Sequence, residues 1–182
     1  MNSLLLRVSF SLISLMLMGC AFGQHSIEPV IYLIPDGYMG NVYIFYNVPD
    51  GVPLKHEGRA LVYEIPEDGI LRSQSQGNPE LMAPQYFYVK PDGTREKITG
   101  FWPSSIHDTP ENRADKTIGI FFPRTGSIGG ITIPKGGGPS ISKFKCDIRY
   151  EQFYVGTKEY LLSRDDLEKD LHEYVEKHPI CK

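Results

Sequence analysis

The stretch Ile31-Tyr32-Leu33-Ile34-Pro35-Asp36-Gly37-Tyr38-Met39-Gly40-Asn41-Val42-Tyr43-Ile44-Phe45-Tyr46 sets two apolar runs around a Pro-Asp-Gly corner. β-Branched and aromatic side chains fill both runs, and such side chains suit a pleated, half-buried surface. Proline presets φ for a turn, aspartate bonds its own backbone, and glycine accepts the left-handed conformation that closes the turn. The same chemistry returns at Pro49-Asp50-Gly51, Pro66-Glu67-Asp68-Gly69 and Pro91-Asp92-Gly93. Further apolar runs at Ala60–Ile65, Tyr86–Val89, Thr117–Phe122 and Ile141–Tyr150 alternate with turn-forming stretches, so the four corners are expected as hairpin turns. None supplies the alternating oxygens and late glutamate of a calcium loop.

Val42–Tyr46 is apolar on both faces, which predicts a strand lying centrally or beneath a covering loop. From Ile141 to Tyr150 the pattern changes. Ile141, Phe144, Cys146, Ile148 and Tyr150 fall mostly at period two, with Lys143, Lys145, Asp147 and Arg149 between them. One buried and one wet face is the pattern of an antiparallel sheet. The expected fold is therefore mostly β, an antiparallel β-sandwich of immunoglobulin- or transthyretin-like type, with one C-terminal α-helix. Residues 104–116 and the Gly-rich 134–140 read as loops, and no linker divides residues 31–182, which form a single β-rich domain.

Composition agrees with that fold. The 182 residues include 18 Gly and 14 Pro, too many for a helical bundle and too few for collagen. A formal charge of -3 provides no basic footprint for nucleic acid.

The first residues read as an export signal. Arg7 precedes an apolar stretch from Val8 to Met18 that is broken by Ser9, Ser11 and Ser14, too short for a membrane span of about 20 residues. Leu17-Met18-Gly19-Cys20 resembles the bacterial lipobox, which makes residues 1–19 a lipoprotein-type signal peptide, Cys20 the lipidated N-terminus and residues 20–30 a tether. A rival cut before Gln24, after Ala21-Phe22-Gly23, would release a secreted or periplasmic form. With Cys20 lipidated, Cys146 and Cys181 remain as a possible disulfide in an oxidising compartment, the alternative being two free thiols.

A helix is expected at about residues 164–177. Ser163 is placed to cap it, Asp166 completes a capping box, and Leu167, Leu171, Tyr174 and Val175 form a narrow apolar stripe. Six acids and three bases fall between Arg164 and Lys177, so Asp166, Asp170 and Glu173 mark a face that could meet a basic protein partner or simply be solvated.

Sequence patterns for catalysis are weak. Ser104, Ser105, His107 and Asp108 lie on one short stretch, where triad geometry is hard to reach, and no G-x-S-x-G elbow is present. The histidines at 25, 56, 107, 172 and 178 form no metal-binding spacing, and no C-x-x-C pair occurs. Gly126-Ser127-Ile128-Gly129-Gly130 lacks the ending of a phosphate loop. No cofactor or metal is expected. Aromatic residues offer the better binding hint, with 11 Tyr, 9 Phe and one Trp, and Phe101-Trp102-Pro103 beside a polar loop makes Trp102 a candidate partner contact.

The run Leu33–Tyr46, followed by Gly51-Val52-Pro53, Glu57-Gly58-Arg59 and Ile65-Pro66-Glu67-Asp68-Gly69-Ile70, resembles a family of small exported bacterial proteins known as a domain of unknown function. Tyr86-Phe87-Tyr88-Val89 and Phe153-Tyr154-Val155-Gly156-Thr157 extend the resemblance to most of the chain. It implies an exported β-domain and carries no activity, cofactor or catalytic residue. The expected role is a lipid-anchored, non-enzymatic binding or interaction module of the bacterial cell envelope, with the membrane and a protein as partners. An immunity or inhibitor protein acting on a toxin or envelope enzyme, and an envelope hydrolase, are the alternatives.

Overall fold

The computed structural model describes residues 28–77, 82–102, 105–128 and 148–163. The leader with Cys20, the cut before Gln24, most of the tether, the 134–140 loop, residues 141–147 of the alternating run, Cys146, Cys181 and the acidic helix 164–177 lie outside them.

Among the described residues, ten strands and two short helices follow one another as β1 (Glu28–Pro35), β2 (Gly40–Phe45), β3 (Lys55–Glu57), β4 (Ala60–Glu64), β5 (Ile70–Arg72), β6 (Met82–Val89), β7 (Arg95–Lys97), β8 (Gly100–Trp102), α1 (Pro110–Ala114), β9 (Gly119–Ile128), β10 (Ile148–Gly156) and α2 (Lys158–Leu162). Two five-stranded sheets result, ordered β3-β4-β1-β6-β7 and β5-β2-β10-β9-β8. The chain passes repeatedly from one sheet to the other.

That passage corrects two expectations. First, β1 pairs in parallel with both β4 and β6, β2 with β5, and β8 with β9, so parallel pairs are as numerous as antiparallel ones. Parallel neighbours need a crossover: for β1–β4, β1–β6 and β2–β5 it passes through the opposite sheet, and for β8–β9 it includes α1. Second, only Pro91-Asp92-Gly93 closes a hairpin, joining β6 to antiparallel β7. The Pro35, Pro49 and Pro66 corners each carry the chain between sheets. Each of the four holds its turn hydrogen bond, for example Tyr38 N to Pro35 O at 3.0 Å and Gly93 N to Lys90 O at 2.8 Å. Both edges of β1 are taken by β4 and β6, which leaves β2 nowhere to pair beside it.

The core lies between the sheets. Val30, Tyr32, Ile34, Tyr63, Tyr86 and Tyr88 from the first sheet meet Val42, Ile44, Tyr46, Ile120, Phe153 and Val155 from the second. β2 is buried along its whole length, as its two apolar faces predict. β9 runs on through Gly126-Ser127-Ile128, which the sequence presents as a glycine loop. Thr157 is the N-cap of α2 and Ser163 its C-cap, with the Ser163 hydroxyl donating to Tyr160 O at 2.8 Å. Inside the expected loop 104–116, α1 begins at Thr109, whose hydroxyl accepts from Asn112 N.

Candidate functional site

β10 divides its polar residues between two faces. Glu151 and Gln152 are adjacent and both buried, and the alternation of a strand points them to opposite sides of the sheet.

Glu151 faces the core. Register aligns Tyr63, Tyr32 and Tyr86 in one row across β4, β1 and β6. Tyr32 stacks on Tyr86 at 4.9 Å and on Tyr63 at 5.6 Å. Phe153 meets Tyr32 and Tyr86 edge-on, each at 5.2 Å. Into this aromatic layer Glu151 presents its carboxylate. Tyr46 Oη donates to Glu151 Oε2 at 2.6 Å, and Tyr32 Oη donates to both carboxylate oxygens at 2.8 and 2.9 Å. Burial pushes the Glu151 carboxyl above its ordinary range, against the opposing pull of the two tyrosine hydrogen bonds. Burial and the neighbouring carboxylate push both tyrosines upward too. Both hydroxyls therefore remain protonated donors, and the cluster ties one sheet to the other.

Gln152 faces outward. Register places Asn41, Tyr154 and Phe121 in one row across β2, β10 and β9, and Tyr43, Gln152 and Arg124 in the next. On β9 two residues, Phe122 and Pro123, separate the rows where β10 has only Phe153, so the ladder bulges there. Phe122 adopts φ 50°, a left-handed conformation rare for a bulky side chain. The bulge opens a cavity of about 230 Å³ lined by Asn41, Phe121, Phe122, Arg124, Gln152 and Tyr154. One hydrogen-bonded chain crosses its polar row: Arg124 Nε donates to Gln152 Oε1 at 3.0 Å, and Gln152 Nε2 donates to Tyr43 Oη at 3.2 Å. Gln152 and Tyr43 are buried while Arg124 is exposed, so a fixed amide holds a guanidinium at the rim of an aromatic hollow.

Trp102 lies beside this region. Its ring stacks on Phe121 at 4.8 Å and carries Lys158 Nζ 4.7 Å above it. Lys158 also pairs with Asp115 at 2.8 Å, and that contact with the Thr117 hydrogen bonds holds the Asp115 carboxyl well below its usual range. Trp102 is half-buried, and its neighbour Phe101 is the exposed aromatic of this edge. Asp108 grips Arg113 through two hydrogen bonds of 2.6 Å, so it does not serve His107 as an orienting carboxylate. Among the described residues no group of three or more His, Cys, Asp or Glu could hold a metal, and no helix is long and apolar enough to cross a membrane.

A family model matches residues 27–161, nearly the whole described structure. The chain belongs to the family of unknown function DUF6843. A domain of unknown function is also what the Leu33–Tyr46 run implies. Among solved structures, a Bacillus anthracis protein designated a lipoprotein shares the fold of this DUF6843 chain, with a TM-score of 0.52 and 19% identity over 84% of this chain and 97% of that one. Among curated proteins none matches.

Sequence reasoning missed Glu151, Gln152, Arg124, Tyr43 and Phe122. A signal existed in Asn41-x-Tyr43-x-Phe45 and Tyr150-x-Gln152-x-Tyr154, two polar-aromatic alternations that register sets side by side.

Proposed function

We propose that this protein is exported, lipid-anchored through Cys20, and acts at the bacterial cell envelope as a non-enzymatic binding module whose recognition site is the cavity at the β9 bulge. The observation that carries the reading is the Tyr43–Gln152–Arg124 chain, which fixes an exposed guanidinium beside Phe121, Phe122 and Tyr154. Arginine, amides and aromatic rings are groups of recognition. The one buried carboxyl among the described residues, Glu151, is engaged by Tyr32 and Tyr46 between the sheets. The Met1–Gly19 leader with its lipobox-like Leu17–Cys20, and a structural neighbour designated a lipoprotein, support the location.

Growth of cells with a clickable fatty acid tests the anchor. The expected result is a labelled membrane-fraction protein in the wild type and no label in Cys20→Ser. An unlabelled wild-type chain recovered from the medium would refute the anchor and favour cleavage before Gln24.

A further inference from the structure

We propose that the C-terminal segment 164–177 docks as an amphipathic helix on the outer face of the β5-β2-β10-β9-β8 sheet, its apolar stripe seated over Tyr43, Phe45 and Tyr150. This docking is independent of what the bulge cavity binds.

Burial shows that this face has a cover. Along β2, Val42 and Ile44 point into the core between the sheets, so Tyr43 and Phe45 stand on the opposite side. There the Tyr43, Phe45 and Tyr150 rings gather, with centroids 6.3 to 6.5 Å apart. Phe45 is 0% exposed and Tyr43 3%. Rings side by side on one sheet face shield each other's flanks and leave their tops in water, so burial this complete needs a further layer. Part of that layer is α2: its Leu161 and Tyr160, with Ile106 and Trp102, pack on Phe121 and Tyr154. Tyr154 and Tyr150 are four residues apart on β10, about 13 Å along the strand. α2 thus covers one end of the face, and the ring cluster lies at the other.

The chain itself supplies the occupant. α2 stops at Leu162, so residues 164–182 start from this same face. As a helix, Arg164–Lys177 would be about 21 Å long, and its Leu167, Leu171, Tyr174 and Val175 fall on one side over about 12 Å. That stripe matches the distance from the Tyr154 end to the Tyr150 end. The same period turns Asp166 and Glu173 away from the stripe, so their charges stay hydrated when it is buried. Residues 129–147 also leave close to Tyr150, where Ile128 pairs with Ile148. Their apolar residues fall at strand spacing around a Gly-rich centre, which provides no comparable stripe.

The test uses the whole exported chain, carrying Cys20→Ser for solubility, with Leu and Val methyl groups and aromatic rings labelled for NMR. The expected result is a set of nuclear Overhauser contacts from the Leu171 and Val175 methyls to the Phe45 and Tyr150 rings, with those methyls shifted upfield by the ring currents. Limited trypsin digestion gives a second measurement. Cleavage after Lys169 is expected to be about tenfold or more faster in Leu171→Asp than in the wild type, because loss of the stripe releases the segment. Asp170→Asn, on the same segment and outside the stripe, keeps the wild-type protection. Circular dichroism confirms that the variants retain their sheets, and the wild-type contacts stand as a readout that needs no variant. Absence of those contacts, or equal cleavage after Lys169 in wild type and Leu171→Asp, overturns the proposal. Contacts to Phe45 and Tyr150 that come only from residues 129–147 overturn it in favour of that segment. Contacts found only between differently labelled copies overturn it in favour of a dimer.

Discussion

Replacing Glu151 tests the core most directly, because its carboxylate accepts from the Tyr32 hydroxyl across the sheets and from the Tyr46 hydroxyl within its own. Glu151→Leu leaves both hydroxyls without that acceptor, and each buried unsatisfied group costs about 1–3 kcal/mol. The loss is therefore about 2–6 kcal/mol, a large fraction of the roughly 5–15 kcal/mol that holds an ordinary domain folded. Glu151→Gln keeps an acceptor for one tyrosine and a donor for the other, and removes the titration. The carboxyl's folded pKa is raised by burial. A raised acid keeps its proton in the folded state after the unfolded chain has released it. Its contribution is thus full below the ordinary glutamate value of about 4.3 and is lost as pH rises through the folded value. Within that window the wild type loses up to about 1.4 kcal/mol per pH unit from this group, and Glu151→Gln does not. Urea denaturation from pH 4 to pH 8, monitored by circular dichroism, measures both slopes. Parallel pH profiles for wild type and Glu151→Gln would refute the argument, since they would mean that the buried carboxyl titrates as it does unfolded.

Trp102 is the only tryptophan and serves as its own reporter. A Cβ at Gly119 would lie 1.7 Å from the Trp102 ring, so Gly119→Ala displaces the indole, shifts its emission to the red and destabilises the fold by about 1–3 kcal/mol in chemical denaturation. At the bulge, Phe122→Gly is expected to be more stable than Phe122→Ala by about 1–2 kcal/mol, because both lose the ring and only glycine accepts the left-handed backbone without strain. Equal denaturation midpoints for the two variants would contradict this. Asp115 is held below its usual range by Lys158 and Thr117. Its ion pair is therefore present above the ordinary aspartate range and is lost only as pH falls through the lowered folded value. Trp102 emission should stay flat in mild acid, while Asp115→Asn should change it already at pH 7.

What the sequence disclosed follows from which interactions are local. Ile31–Ile34, Val42–Phe45, Ala60–Glu64 and Tyr86–Val89 all lie in strands, because β-branched and aromatic composition acts within each segment. Proline and glycine marked the turns correctly for the same reason. Pairing partners were beyond reach: a Pro-Asp-Gly corner reverses the chain equally well into its own sheet at Pro91 and into the opposite sheet at Pro35. The three-residue edges β3, β5, β7 and β8 are too short to show a period of their own. α1, inside a stretch read as a loop, was missed although Thr109, Pro110 and Glu111 carry a local signal: an N-cap, a first-turn proline and an acid at the positive end of the helix dipole.

The site escaped for a related reason. Glu151-Gln152 reads in sequence as a polar interruption between aromatic residues, which argues for a loop or a wet edge. Only with β10 placed between β2 and β9 do the two polar side chains acquire separate settings. Glu151 meets tyrosines from β1 and from the residue just after β2, so its hydrogen bonds fix how the sheets sit on each other. Gln152 meets Tyr43 on one side and Arg124 on the other, both within its own sheet, so its hydrogen bonds shape a surface. Burying two polar side chains side by side is unfavourable unless each is fully engaged. Here a strand's two-residue period engages them with different neighbours, so the core tie and the surface hollow share one strand without sharing a hydrogen bond.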